Sequence, residues 1–178
     1  MLPVAVPCRV LDLCCGSGCI GLTLAAERSS LQVTLSDCSR DALDVSAVNA
    51  ARFGLQVSLH LGDLTEDLPE AFFDCVVSNP PYIPSAECGS LQPEVLREPS
   101  SALDGGTDGL DFYRRIAAES TRVLRPEGIL LLEVGYGEAG AVSGLLATAG
   151  FTGITVRKDF RGIDRMLLAV CSARRNYV

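Results

Sequence analysis

The feature that most constrains this chain is a repeated alternation. Near-continuous apolar, β-rich runs are separated by stretches with helical spacing, along most of the sequence. Residues 8–15 (CRVLDLCC), 31–37 (LQVTLSD), 56–63 (QVSLHLGD), 73–79 (FDCVVSN) and 128–135 (GILLLEVG) read as strands. Helices are expected over 19–28, over 39–54 with Ser39 as N-cap and Gly54 as stop, over 109–124 ending before Pro126, and over 138–150. Strands that are apolar on both faces and alternate with helices form a mostly parallel sheet covered on both sides. The final runs, FTGITVRKD and RMLLAVC, have only a short polar link between them. That length suits an antiparallel pair, so one edge of the sheet should be mixed. The expected architecture is an α/β, Rossmann-like domain with seven strands, an antiparallel edge strand and helices on both faces.

A chain of 178 residues suits one domain, here 1–178. No apolar run reaches the length of a membrane span. The N-terminus, MLPVAVPCRVLDL, lacks a basic leader and is read as mature protein. The net charge is −7, and the basic residues are scattered apart from pairs such as Arg114-Arg115 and Arg174-Arg175. A nucleic-acid binder normally shows a basic stripe, so direct nucleic-acid binding is not expected. Eight cysteines invite a disulfide reading, but most lie in apolar segments where a free thiol behaves as a small hydrophobe. With one histidine, His60, and no Cys-x-x-Cys pair, zinc-ligand spacing is absent and no metal is expected. Reduced thiols point to the cytoplasm.

The first strand runs into DLCCGSGCIG, residues 12–21. Gly16 and Gly18 allow a tight turn and close approach of a ligand to the backbone. Residues 16–21 also fit G-x-G-x-x-G in a strand-turn-helix context, which reads as a cofactor loop; the alternative is a plain glycine turn. Asp37 ends the second strand, where an acid accepts ribose hydroxyls or, alternatively, caps the next helix. Asp63-Leu64 closes the third strand beside the same crevice, either bordering an adenine or making an ordinary turn. The fourth strand stops at Asn79-Pro80-Pro81-Tyr82, and a long Pro/Gly/Ser-rich loop follows to about Asp108. Loops of that length are usually functional or disordered.

The Asn79–Tyr82 stretch resembles the catalytic motif of class I S-adenosylmethionine-dependent methyltransferases that modify planar nitrogen groups. Together with VLDLCCGSGCIG, Asp37, REPSSALDGGTDGLDFYRRI, GILLLEVG and FRGIDRMLLAV, it resembles the HemK-type family over about Arg9 to Val170. That family comprises glutamine methyltransferases acting on the Gly-Gly-Gln motif of peptide chain release factors. The resemblance implies that Cys14, Cys15, Gly16, Ser17 and Gly18 line the methionine and ribose part of S-adenosyl-L-methionine, whose product is S-adenosyl-L-homocysteine. It implies that Asp37 binds the ribose hydroxyls and that Asp63 or Leu64 borders the adenine. It implies that Asn79, Pro80, Pro81 and Tyr82 hold the target amide, with Asn79 also near the cofactor. Two departures stand out. Cys14 occupies a position that is usually glycine, and the first strand lies so near Met1 that the chain is expected to hold the catalytic domain alone, without the family's N-terminal helical domain, or to be a truncated product. The expected partner is a release factor, approached by a monomer. The competing readings are an adenine amino-group methyltransferase, which should carry a basic face, a nicotinamide-dependent oxidoreductase, which leaves Asn79–Tyr82 unexplained, and a non-catalytic cofactor-binding module.

Overall fold

The structure, a computed structural model, describes residues 8–172. The reading of the extreme N-terminus and the Arg174-Arg175 pair therefore lie outside the described residues. The elements follow in the order β1 (Cys8–Leu13), α1 (Cys19–Glu27), β2 (Leu31–Asp37), α2 (Arg40–Arg52), β3 (Ser58–Leu61) and β4 (Phe73–Ser78). After these come α3 (Asp111–Val123), β5 (Leu124–Glu133), α4 (Ala139–Thr148), β6 (Phe151–Lys158) and β7 (Asp164–Cys171). No helix among the described residues is long and apolar enough to cross a membrane.

The seven strands form one sheet in the order β3-β2-β1-β4-β5-β7-β6. The first five in that order run parallel, and β7 is antiparallel to both β5 and β6. The mixed edge expected from the short final link is present, with the reversed strand one place in from the boundary. β1 sits between β2 and β4, so the chain winds outward from it in both directions. Successive residues of β1 serve opposite faces. Val10 packs with Leu22 of α1 and Leu43 and Ala50 of α2. Leu11 and Leu13 pack with Tyr113 and Ile116 of α3 and Val142 and Leu146 of α4. This two-sided burial is why the strands carry no polar alternation.

Local signals explain the element ends. Ser39 caps α2, its side-chain oxygen accepting from the Ala42 N–H at 3.2 Å, and Gly54, at φ +64°, takes the left-handed position after it. β5 begins earlier than the apolar run suggests, directly after α3. Pro126 within it has no N–H to donate, and the register with β4 jumps from Phe73↔Leu124 to Cys75↔Ile129. The 80–108 segment is ordered by three short helical turns at Cys88–Ser90, Val95–Arg97 and Ser100–Ala102.

Gly21 sets the distance between α1 and the sheet. A Cβ there would lie 2.3 Å from Leu35 Cδ2 and 2.9 Å from Asp12 Oδ2. Alanine gains about 1 kcal/mol of helix propensity over glycine, against about 1–3 kcal/mol for overpacking a filled core. Leu35 is fully buried and has no room to retreat. Gly21→Ala should therefore lose about 1–2 kcal/mol in urea unfolding; equal midpoints for the two proteins would show that the contact relaxes freely.

Candidate functional site

The carboxyl ends of β1, β2, β3 and β4 meet at one edge of the sheet, where β1 and β4 mark the point at which the strand order reverses. Cys14 to Gly18 form the turn out of β1. The turn is held from outside by α2: Ser46 Oγ donates to the Gly16 carbonyl at 2.8 Å and Asn49 Nδ2 to the Ser17 carbonyl at 2.9 Å. It is held from β2 by Asp37, whose Oδ2 accepts from the Gly16 N–H and Oδ1 from the Ser39 N–H, both at 2.9 Å. The cap of α2 is Ser39, so Asp37 instead ties two strand-end loops together. Each of its oxygens keeps lone pairs for another donor.

Gly16 lies at φ +54°, and a Cβ added there would meet nothing within 4 Å. The turn thus faces open space beside an anchored carboxylate, a cradle whose shape and polarity fit a ribose-bearing cofactor. Cys14 also has positive φ, +58°, in the region that favours glycine. Burial pushes the Cys14 and Cys15 thiols up to about 12, so they remain protonated and are not nucleophiles.

Beyond β3, the Gly62 N–H reaches the Asp37 carbonyl at 3.2 Å. Asp63 Oδ1 accepts from Arg115 of α3 at 3.0 Å. The Leu64 side chain is only 4% exposed and belongs to the core beneath the site. What Leu64 offers the crevice is therefore backbone, a distinction its residue type did not reveal.

The Asn79–Tyr82 segment leaves β4 through a buried bond: Ser78 Oγ donates to the Leu13 carbonyl at 2.6 Å. Asn79 is exposed and its side chain has no hydrogen-bond partner among the described residues, whereas Pro80 and Pro81 are buried. Tyr82 is half-buried. Burial, with Glu133 nearby, raises its hydroxyl pKa, and the guanidinium of Arg165 beside it opposes the shift.

Sequence reasoning singled out Asn79–Tyr82 but not what supports that segment. Ile83 N–H donates to the Leu103 carbonyl at 2.9 Å, and Gly105 N–H returns to the Ile83 carbonyl at 2.8 Å. A Cβ on Gly105 would lie 2.7 Å from Tyr82 Cα, and one on Gly109, at φ +77°, 2.4 Å from the Tyr82 carbonyl oxygen. The DGGTDG run, residues 104–109, is thus a glycine floor pressed against the backbone of Tyr82. In the sequence the run stood out by its glycines and as part of the stretch carrying the family resemblance, and neither signal pointed to Tyr82.

Asp12 was also missed. It is 1% exposed, and its Oδ2 accepts from the Gly21 N–H at 2.7 Å, serving the first turn of α1, where Gly18 supplies no side-chain cap. Burial raises its pKa from an ordinary 3.8 to about 6; the Gly21 bond opposes this and the charge of Asp37 adds to it. A raised acid contributes stability that is complete below pH 3.8 and lost as pH climbs through about 6. The size of that loss is about 3 kcal/mol. Asp12→Asn keeps an acceptor and removes the titration, so its stability relative to wild type should rise between pH 4 and 7. Parallel pH profiles in chemical denaturation would contradict this.

A family model described as the methyltransferase small domain matches residues 1–108 of the chain. A release factor glutamine methyltransferase of Clostridium acetobutylicum is 47% identical over 167 residues, 91% of this chain and 59% of that protein. One of Gloeobacter violaceus is 47% identical over 170 residues, 93% and 59% of the two chains. A ribosomal protein uL3 glutamine methyltransferase of Bordetella pertussis is 45% identical over 130 residues, 72% and 44%. The chain thus spans about three fifths of the length of the first two relatives. Among solved structures, a methyltransferase from Pyrococcus furiosus superposes with a TM-score of 0.72 at 16% identity, covering 96% of this chain and 78% of that one. A SAM-dependent methyltransferase from Aquifex aeolicus does so with a TM-score of 0.67 at 15% identity, covering 95% and 85%. At such identities these structures establish the fold.

Proposed function

The chain belongs to the methyltransferase small-domain family, and from that premise we propose that it transfers a methyl group from S-adenosylmethionine to the side-chain amide nitrogen of a glutamine in a peptide chain release factor. The observation that carries the reading is Asn79, an exposed amide without a hydrogen-bond partner among the described residues, set on two buried prolines beside the glycine cradle. The relatives named as glutamine methyltransferases support the substrate class. The cofactor would supply a methyl on a positively charged sulfur, activated for attack.

Asp37 would receive the ribose hydroxyls on the lone pairs that Gly16 and Ser39 leave free. The backbone from Cys14 to Gly18 would line the rest of the cofactor, and Asp63 with the Leu64 backbone would border the adenine. Asn79 Oδ1 and the Pro80 carbonyl would each accept one N–H of the substrate amide. A carboxamide nitrogen is a weak nucleophile, because its lone pair is delocalised into the carbonyl. Holding it in line is therefore most of the catalysis. Both acceptors also gain strength as positive charge grows on that nitrogen. Pro80 and Pro81 fix the backbone on which the acceptors stand, and the Tyr82 ring offers a flat surface for the amide. With the nitrogen held in line by Asn79 and Pro80, it would take the methyl while the cofactor retained the bonding pair, and its surplus proton would pass to water. Such a substrate would put the reaction in a compartment where translation takes place.

Asn79→Ala should lower kcat by roughly 10²–10³, the scale for losing one preorganised polar group. Asn79→Asp should fall between wild type and alanine, because it retains an oxygen but adds a charge that stabilises the sulfonium ground state. Single-turnover transfer at saturating cofactor, with a release factor and ribosomal protein uL3 as alternative acceptors, measures this. A folded alanine variant working at the wild-type rate would refute the clamp. Methylation of uL3 alone would move the substrate. Asp37→Ala should weaken cofactor binding by about 1.5–3 kcal/mol; unchanged calorimetric affinity would leave Asp37 as a loop tether only.

A further inference from the structure

The connection between β3 and β4 holds three of the five non-glycine residues at positive φ among the described residues. Leu64, Asp67 and Ala71 lie at φ +50°, +57° and +46°, a region that non-glycine residues avoid. Such conformations persist where the surroundings over-determine them, and they cluster at functional sites. Here the surroundings are one helix. Arg122 of α3 donates to the Thr65 carbonyl at 2.5 Å and the Leu68 carbonyl at 2.7 Å. Glu119 accepts from the Thr65 hydroxyl at 3.1 Å, and Arg115 holds Asp63. The Ala71 and Phe72 N–H groups donate to the carbonyls of Arg122 and Val123 at 2.9 and 2.8 Å. Asp63, Thr65, Glu66, Arg115, Glu119 and Arg122 line a polar cavity of about 330 Å³ beside the end of β3. The strained turn leaves the Leu64 N–H and Asp63 Oδ2 without hydrogen-bond partners among the described residues, one donor next to one acceptor.

We infer that Arg122 and Glu119 are positioning residues for recognition of the purine, holding the 63–68 backbone so that Asp63 and the Leu64 N–H present an acceptor and a donor together. The inference rests on the reading that residues 63–64 border the adenine. An adenine edge offers a matching pair, an amino donor beside a ring-nitrogen acceptor. A 6-oxo purine offers the reverse, an oxygen acceptor beside an N–H donor. The loop is thus a device for choosing between purines, and α3 sets its aim without touching the cofactor.

Calorimetry with S-adenosylhomocysteine and S-inosylhomocysteine tests this. Wild type should prefer the adenosyl compound by about a hundredfold, two mismatched contacts at roughly tenfold each. Arg122→Gln should weaken adenosyl binding by about tenfold and cut the preference to about tenfold, with kcat unchanged at saturating cofactor. Arg122→Lys, which keeps the charge and one donor path, should fall between. Thr65→Val removes the hydroxyl bonded to Glu119 and should move the preference in the same direction, which keeps the test open if Arg122→Gln fails to fold. Equal binding of both compounds by wild type would sink the adenine reading itself, and this inference with it. A wild-type preference that survives unchanged in folded variants would sink the positioning role alone and leave α3 as scaffold.

Discussion

The site depends on the junction between β1 and β4. Their parallel register brings Leu13 opposite Ser78, and the Ser78 hydroxyl donates to the Leu13 carbonyl, sealed from water. A buried bond of this kind contributes modestly when made but costs its full desolvation when broken. It therefore acts mainly as a constraint. It fixes the last residue of one strand to the last residue of the other, so the glycine turn and the Asn79–Tyr82 segment emerge side by side. These segments are 65 residues apart in sequence at that bond, and no local preference could have aligned them.

Two carboxylates flank the turn on different terms. Asp37 is partly open and can share its oxygens with a ligand. Asp12 is shut into the layer between sheet and α1, where its ionised form costs stability while its oxygen serves Gly21. The negative charge of Asp37 adds to that cost. The loop is shaped by a balance in which helix orientation is obtained against electrostatic preference. Cys14, at positive φ in the same turn, adds conformational strain to it.

Most of the architecture was legible because parallel strands buried on both faces write themselves as apolar runs, and Ser39 and Gly54 marked one helix at both ends. The glycine turn, Asp37 and the Asn79–Tyr82 stretch were legible because their chemistry is dense and local. The start of β5 was not, since a strand interrupted by Pro126 carries no continuous apolar signal. Nor was the burial of Leu64, because a leucine beside a crevice reads as a wall until the direction of its side chain is known. Gly105 and Gly109 were hidden for a further reason: their role is set by the backbone of Tyr82, more than twenty positions away, and glycine density alone does not name a neighbour.

The central place of β1 has a consequence for how the molecule comes into being. β1 and β2 can pair once residues 8–37 exist, and that pair already carries the glycine turn and Asp37. The Asn79–Tyr82 segment cannot take its place until β4 docks on the other flank of β1, a contact that crosses two helices and two strands. Closing such long sequence separations is slow compared with forming local structure. During synthesis, the glycine turn and Asp37 therefore come together well before the Asn79–Tyr82 segment can join them. A chain that had paired only β1 and β2 would present the glycine turn and Asp37 with no Asn79–Tyr82 segment beside them.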